Sequence, residues 1–190
     1  MQAGKKTRSR LRVLLAVLLL GSLLILPASA GTVDATYYNT GVLSPAEAAA
    51  LAGLPKGAVV VMTPTSGTFY TGETARQMIL SGEVQIISVA GVGSSSVGTA
   101  AFAKHIARIK SQPVAGIVVG YGDGSVYTEG PEGYYIGRPS NVAGVWYEEP
   151  ASRTLAELYE AGARPQLLVG HSKGNMDLAN ALFELAAEGH

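Results

Sequence analysis

The stretch that decides the fold is Leu167-Leu168-Val169-Gly170-His171-Ser172-Lys173-Gly174-Asn175. A short apolar run of the kind found in buried strands enters it. A segment with helical periodicity leaves it, with apolar residues at Met176, Ala179 and Phe183 and again at Leu178, Leu182 and Leu185. The pattern G-x-S-x-G lies between the two. The sequence therefore predicts a strand, a tight turn that carries a serine, and a helix.

A G-x-S-x-G turn between a strand and a helix is typical of a nucleophile elbow, which presents a serine hydroxyl on a strained backbone. At so tight a turn, a Cβ at Gly170 or Gly174 would crowd the neighbouring strand and helix. The turn also puts Ser172 at a helix N-terminus, where backbone N–H groups and the dipole stabilise a developing oxyanion. We expect Ser172 to be the nucleophile and the Lys173 N–H to form half of an oxyanion hole.

Strands and helices alternate along the rest of the chain. Ser44-Pro45-Ala46-Glu47 predicts a helix start with a capping box. Segment 31–43 is expected to be irregular or an edge, and segment 65–72 is turn-rich. Strands are predicted at 58–62, 84–90, 114–120 and 166–169, and helices at 73–80, 98–110, 151–161 and 176–188. Such alternation predicts an α/β fold with a mostly parallel sheet and crossover helices. Ligand sites in these sheets lie at the carboxyl ends of the strands.

A second glycine-rich turn covers residues 90–99 and allows two functional interpretations. It has the glycine spacing of a phosphate-binding loop, but Thr99 stands where that loop needs its lysine, so nucleotide binding is disfavoured. The other interpretation is that the N–H groups of Val92 and Gly93 complete the oxyanion hole, because that donor follows an earlier strand in hydrolase sheets. A plain helix entry with Ser96 as N-cap is compatible with the second interpretation.

The first 30 residues have the three parts of a signal peptide. Five basic residues precede an apolar run at 13–26, and Ala28-Ser29-Ala30 fits a small-residue cleavage site. The run is broken by Gly21 and Ser22, so a cleaved leader is favoured over a membrane anchor. Without it, a single domain at 31–190 keeps nine basic and 14 acidic residues, which is a net charge of −5. We expect an exported protein (secreted, periplasmic or in the cell envelope), with membrane contact, if any, only through an uncleaved leader.

Composition disfavours several classes of protein. The mature chain is acidic and has no basic patch with interleaved aromatic residues, so nucleic acid is not an expected partner. Cysteine is absent and there are three histidines without a ligand spacing, so neither thiol chemistry nor a metal site is expected. No cofactor is expected either. A long segment at about 121–150 is rich in aromatic residues, glycine and proline, and is interpreted either as a loop over the cleft or as an insertion.

The elbow and the order of elements before it, over about residues 56–188, resemble the α/β-hydrolase superfamily, and within it the lipases and esterases. The resemblance implies acyl transfer to Ser172, with a small-molecule or lipid ester as substrate. It makes His171 the common residue before the nucleophile rather than the general base. It maps the loop at 91–93 onto the oxyanion loop, although the H-G-G-G pattern is missing.

The acid and histidine that complete the family's triad are not evident. The family places both after the nucleophile, but only 18 residues follow Ser172, among them Asp177 and His190. Upstream, His105 reads as a surface residue of a helix, and Asp123 alone would not complete a triad. We therefore expect weak or no catalysis and favour a truncated hydrolase, whose elbow strand would be an exposed sheet edge. The alternative is a non-catalytic binding module of the cell envelope.

Overall fold

A computed structural model of the protein describes residues 32–120 and 150–190. The signal peptide predicted at 1–30 and the loop predicted at 121–150 lie outside these ranges, apart from Pro150. Seven stretches in the described part are helical: α1 Thr32–Tyr37, a 3-10 turn Thr40–Val42, α2 Pro45–Leu51, α3 Gly72–Leu80, α4 Ser96–Lys110, α5 Pro150–Glu160 and α6 Lys173–Glu188. Five are strands: β1 Val59–Met62, β2 Phe69–Thr71, β3 Ile86–Val89, β4 Val114–Ile117 and β5 Leu167–Gly170.

The strands form one sheet in the order β2-β1-β4-β3-β5. β3 is parallel to both β4 and β5, but β1 is antiparallel to both β2 and β4. The fold is α/β, as expected, but the prediction of a mostly parallel sheet is wrong. A connection as short as the one between β1 and β2 can join only antiparallel strands, and β2 itself lies in a segment interpreted as a turn.

Helices cover both faces of the sheet. Alternate residues of β1 enter different cores, because successive side chains of a strand point to opposite faces. Val59 and Val61 pack with α3, α5 and α6, whereas Val60 and Met62 pack with α2 and α4. Every residue of β1, β3 and β4 is buried. This burial on two faces explains why those strands read as continuous apolar runs.

The N-terminal part of the domain differs from its prediction. Residues 31–43, expected to be irregular or an edge, contain α1 and the 3-10 turn. The N-cap of α4 is Ser95 rather than Ser96, and its Oγ accepts hydrogen bonds from the N–H groups of Val97 at 3.0 Å and Gly98 at 3.4 Å. Ser44 caps α2 and forms the predicted capping box with Glu47. α1 and α4 are joined at Ser95, because the Asp34 carboxylate accepts hydrogen bonds from both the N–H and the hydroxyl of Ser95.

β5 lies at the edge of the sheet, beside β3. None of its four residues is fully buried, and Leu167 is 38% exposed. Within residues 32–120 and 150–190, no helix has the length and apolar character needed to cross a membrane. β5 and α6 together place the G-x-S-x-G turn at the carboxyl end of β3, where the structure brings two turns into contact.

Candidate active site

Ser172 has a strained backbone. β5 ends at Gly170 and α6 begins at Lys173, so only His171 and Ser172 make the turn. Ser172 has φ 52° and ψ −121°, a region that glycine enters readily but that a side chain makes costly. Three backbone hydrogen bonds hold the turn: His171 N–H to Val89 O at 3.1 Å, Gly174 N–H to His171 O at 2.9 Å, and Asn175 N–H to Ser172 O at 3.0 Å.

The two glycines of the pentapeptide have the close contacts expected from the sequence. A Cβ on Gly174 would overlap the carbonyl oxygen of Val89 and lie 2.5 Å from that of Ala90, so α6 starts directly against the end of β3. A Cβ on Gly170 would overlap the side chain of Asn175 and lie 2.8 Å from its backbone nitrogen. Any side chain at Gly170 or Gly174 would come too close to these atoms, which explains why glycine is needed two residues before and two after the serine.

The serine and its neighbours differ in exposure. Ser172 is exposed, and its hydroxyl has no hydrogen-bond partner in the part of the chain that the structure describes. The side chain of Lys173 is buried, while its backbone begins α6. The Lys173 N–H therefore belongs to the first turn of a helix of 16 residues, where the dipole favours negative charge.

The loop after β3 lies against the elbow. β3 and β5 are parallel neighbours, and Val89 pairs with Gly170, so both strands end at the same level. A Cβ on Gly91 would lie 3.0 Å from His171 Nδ1 and 3.4 Å from His171 O. The loop after β3 and the G-x-S-x-G turn therefore lie side by side at the carboxyl ends of two parallel strands.

Hydrogen bonding within that loop leaves two N–H groups available. The Gly91 N–H donates to Tyr38 Oη at 2.6 Å, and the Ser94 N–H donates to Gly91 O at 3.2 Å. The next N–H, that of Ser95, donates to Asp34. The N–H groups of Val92 and Gly93 donate to no acceptor within the described ranges. These are the two donors that the sequence assigned to the oxyanion hole.

Tyr38 is a site residue that sequence reasoning missed. Its hydroxyl lies 2.9 Å from His171 Nδ1 and 3.3 Å from Ser94 Oγ, in addition to its bond with Gly91. Burial raises the pKa of Tyr38 above its ordinary value of 10.0, so the phenol keeps its proton at neutral pH. The spacing of Asp34 and Tyr38, four residues apart and thus on one face of a helix, was the available signal. The composition of segment 31–43 predicts an irregular or edge segment and so hides this helical spacing.

His171 forms part of an aromatic hollow beside the elbow. Its ring centroid lies 5.6 Å from that of Tyr38, 6.2 Å from that of Phe102 and 6.2 Å from that of Tyr37. The hollow has a volume of about 230 Å³ and is lined by Tyr37, Tyr38, Asn39, Ala101, Phe102, His105 and His171. His105 is an exposed residue of α4, as expected, and the structure brings it to the same hollow as His171.

The other candidate groups lie elsewhere. Asp177 is buried on α6, one turn after Lys173, and His190 is exposed. Asp123 and the aromatic segment predicted as a cleft loop or an insertion lie outside the described residues. Within the ranges 32–120 and 150–190, no group of three or more His, Cys, Asp or Glu side chains is arranged to hold a metal ion. The site therefore consists of Ser172, the N–H groups around it and the Tyr38–His171 pair.

Comparison of the chain with known protein families, with curated proteins and with solved structures finds no match.

Proposed function

We propose that the protein is an exported serine hydrolase of α/β-hydrolase descent, which transfers the acyl group of a small-molecule or lipid ester to Ser172. The observation that carries the proposal is the backbone of Ser172, at φ 52° and ψ −121° between a strand and a helix. Such strain costs on the order of 1–3 kcal/mol and persists mainly at functional sites. Ser172 is exposed at the carboxyl end of β3 and β5, where an ester could reach it.

In the proposed reaction, Ser172 Oγ attacks the ester carbonyl and its proton passes to a base. The carbonyl oxygen becomes an oxyanion, which the N–H of Lys173 and those of Val92 and Gly93 stabilise. Expulsion of the alcohol leaves an acyl-serine, and water then releases the acid. Each well-placed donor is worth about 10²–10³ in rate. No base hydrogen-bonds Ser172 within the described residues, so we expect slow turnover.

A second candidate function is binding without turnover, as a module of the cell envelope. Two observations favour it: the missing hydrogen-bond partner of the Ser172 hydroxyl in the described part of the chain, and the aromatic hollow beside His171. A module of this kind would bind an apolar or aromatic group in the hollow. It would not form an acyl-enzyme.

Labelling of the protein with a fluorophosphonate probe tests the proposed function. We expect covalent modification of the wild type at Ser172, detected by mass spectrometry, and none in Ser172→Ala. Ser111→Ala is the matched control, because Ser111 is the other described non-glycine residue with positive φ, at 54°, and lies at the end of α4. It should be labelled like the wild type. A folded wild type that takes up no probe would contradict the hydrolase proposal and favour the binding module.

A further inference from the structure

The Tyr38 hydroxyl joins three separate segments of the chain at one buried point. It meets the N–H of Gly91 at 2.6 Å, Oγ of Ser94 at 3.3 Å and Nδ1 of His171 at 2.9 Å. Tyr38 itself is only 9% exposed. Gly91 and Ser94 belong to the loop after β3, and His171 belongs to the elbow. One phenol oxygen therefore links the two turns that would hold the oxyanion.

The hydrogen bonds of this phenol can be assigned by counting protons. A phenol oxygen has one proton to donate and accepts through its lone pairs. The Gly91 N–H can only donate, and Ser94 Oγ also donates to the phenol. The phenol proton is then directed to His171 Nδ1, which must accept it. Nδ1 of His171 is then the acceptor, and Nε2 is the ring nitrogen that carries the proton.

We propose that Tyr38 is a positioning residue, whose hydroxyl holds the 91–94 loop on the elbow and sets the place of the oxyanion donors. This inference rests on the proposed function of Ser172. The Gly91 N–H is bonded to Tyr38 and the Ser94 N–H to Gly91 O, so the N–H groups of Val92 and Gly93 are the ones that this loop can offer to the oxyanion. A fixed Gly91 fixes their direction relative to Ser172. Small misplacements of such donors cost large factors in rate.

The ring and the hydroxyl of Tyr38 can be separated by mutation. The ring packs against Phe102, with centroids 5.5 Å apart, and against His171. Tyr38→Phe keeps these contacts and removes only the oxygen. It leaves the buried Gly91 N–H without its acceptor and frees His171 to change tautomer. The variant therefore tests the hydroxyl rather than the packing.

The first measurement is the second-order rate constant for fluorophosphonate labelling of Ser172. We expect Tyr38→Phe to lower it by about tenfold or more, because the oxyanion donors lose their fixed position. Two controls should stay within about twofold of the wild type. Tyr70→Phe makes the same change on β2, at the opposite edge of the sheet. Ser88→Ala removes another buried hydrogen bond, from Ser88 Oγ to Ala115 O at 3.0 Å, and so controls for lost stability.

The second measurement needs no activity. Nitrogen NMR of the wild type should show His171 with its proton on Nε2, and the Gly91 amide should exchange slowly with solvent. In Tyr38→Phe the imidazole should populate both tautomers, and Gly91 should exchange faster than in Ser88→Ala. A wild-type His171 protonated on Nδ1, or unchanged labelling and exchange in Tyr38→Phe, would overturn the inference. An unlabelled wild type that shows the expected NMR signals would overturn the hydrolase proposal, and with it the setting of oxyanion donors, but not the part of the inference in which Tyr38 holds the loop on the elbow.

Discussion

At the scale of single residues, the strain at Ser172 can be measured apart from any reaction. Alanine and serine both have a Cβ, which is the atom that makes φ 52° and ψ −121° costly, whereas glycine has none and adopts this region readily. We expect Ser172→Gly to be more stable than Ser172→Ala by about 1 kcal/mol, because relief of strain exceeds the added flexibility of glycine in the unfolded chain. Urea denaturation of both variants measures the difference.

Ser111 supplies the comparison for that pair. It is an exposed residue at φ 54° and ψ 33°, an ordinary left-handed helix end. The difference in unfolding free energy between Ser111→Gly and Ser111→Ala should be smaller than that between Ser172→Gly and Ser172→Ala. The reason is that the left-handed helical region is less costly for a side chain. If Ser172→Ala were as stable as Ser172→Gly, the backbone of the elbow would not be strained, and the main support for a nucleophile would be lost.

The sequence indicated the elbow residue by residue but not its support. The steric roles of Gly170 and Gly174 follow from the shape of the turn, which is local. The link from Tyr38 to His171 spans 133 positions, and no short pattern contains it. The assignment of the Val92 and Gly93 N–H groups to an oxyanion hole stays a prediction, and only the structure shows that the Gly91 N–H of the same loop is engaged by Tyr38. Contacts between distant segments depend on the tertiary fold.

At the scale of elements, α2 and α4 are joined by a buried ion pair. Lys104 Nζ donates to the Glu47 carboxylate, which also accepts from the N–H groups of Ser44 at 2.7 Å and Gly67 at 2.9 Å. Burial opposes the charge on Glu47, but the hydrogen bond from Lys104 and those from the two N–H groups outweigh it. They lower the pKa of Glu47 from 4.5 to about 2.

This pair predicts how stability depends on pH. Since the pKa of Glu47 is lower in the folded protein, its contribution is complete above pH 4.5 and is lost as the pH falls towards about 2. Glu47→Gln should flatten that part of the curve of unfolding free energy against pH. It should also cost about 3–5 kcal/mol at neutral pH, because Lys104 is left buried without its anion. Urea denaturation between pH 2 and pH 7 measures both effects.

Glu73→Gln is the control for this prediction. Glu73 is an exposed residue of α3 that accepts a hydrogen bond from Gln77 one turn later at 2.7 Å. Its replacement should leave both the slope and the neutral stability nearly unchanged. A curve for Glu47→Gln that runs parallel to that of the wild type below pH 4.5 would contradict the role given to the pair.

The bounds of helices and strands with clear start and stop residues were predicted well, but the direction in which the strands pair was not. The helix predicted at 73–80 is found at Gly72–Leu80, and the strand predicted at 58–62 is found at Val59–Met62. All four residues of that strand are buried, so its sequence has no alternation to show which way its neighbours run. β2 has only three residues, all partly buried, which is too short for a pattern. The wrong prediction of a mostly parallel sheet therefore comes from β1 and β2.

At the scale of the whole molecule, the fold limits where a leader can be removed from the chain, if the protein is exported as proposed. Asp34 is fully buried, although it lies only four residues after the predicted cleavage site. Its carboxylate accepts from the N–H of Ser95 at 3.0 Å and from the Ser95 hydroxyl at 2.5 Å. Those bonds tie the first helix of the domain to the start of α4. Processing beyond Asp34 would remove them.

We therefore predict that the mature protein begins near Gly31 and before Asp34. N-terminal sequencing of the protein purified from cells that express the full chain checks this directly. A chain that begins at Gly31 should unfold at the same temperature as the processed protein. A chain that begins at Ala35 should be less stable by about 1–2 kcal/mol, because the Ser95 N–H at the entry to α4 loses its acceptor. Asp34→Ala in the longer chain should reproduce that loss. If the chain from Ala35 were as stable as the chain from Gly31, Asp34 would not be needed to hold α1 on α4, and the cleavage site would be unconstrained by the fold.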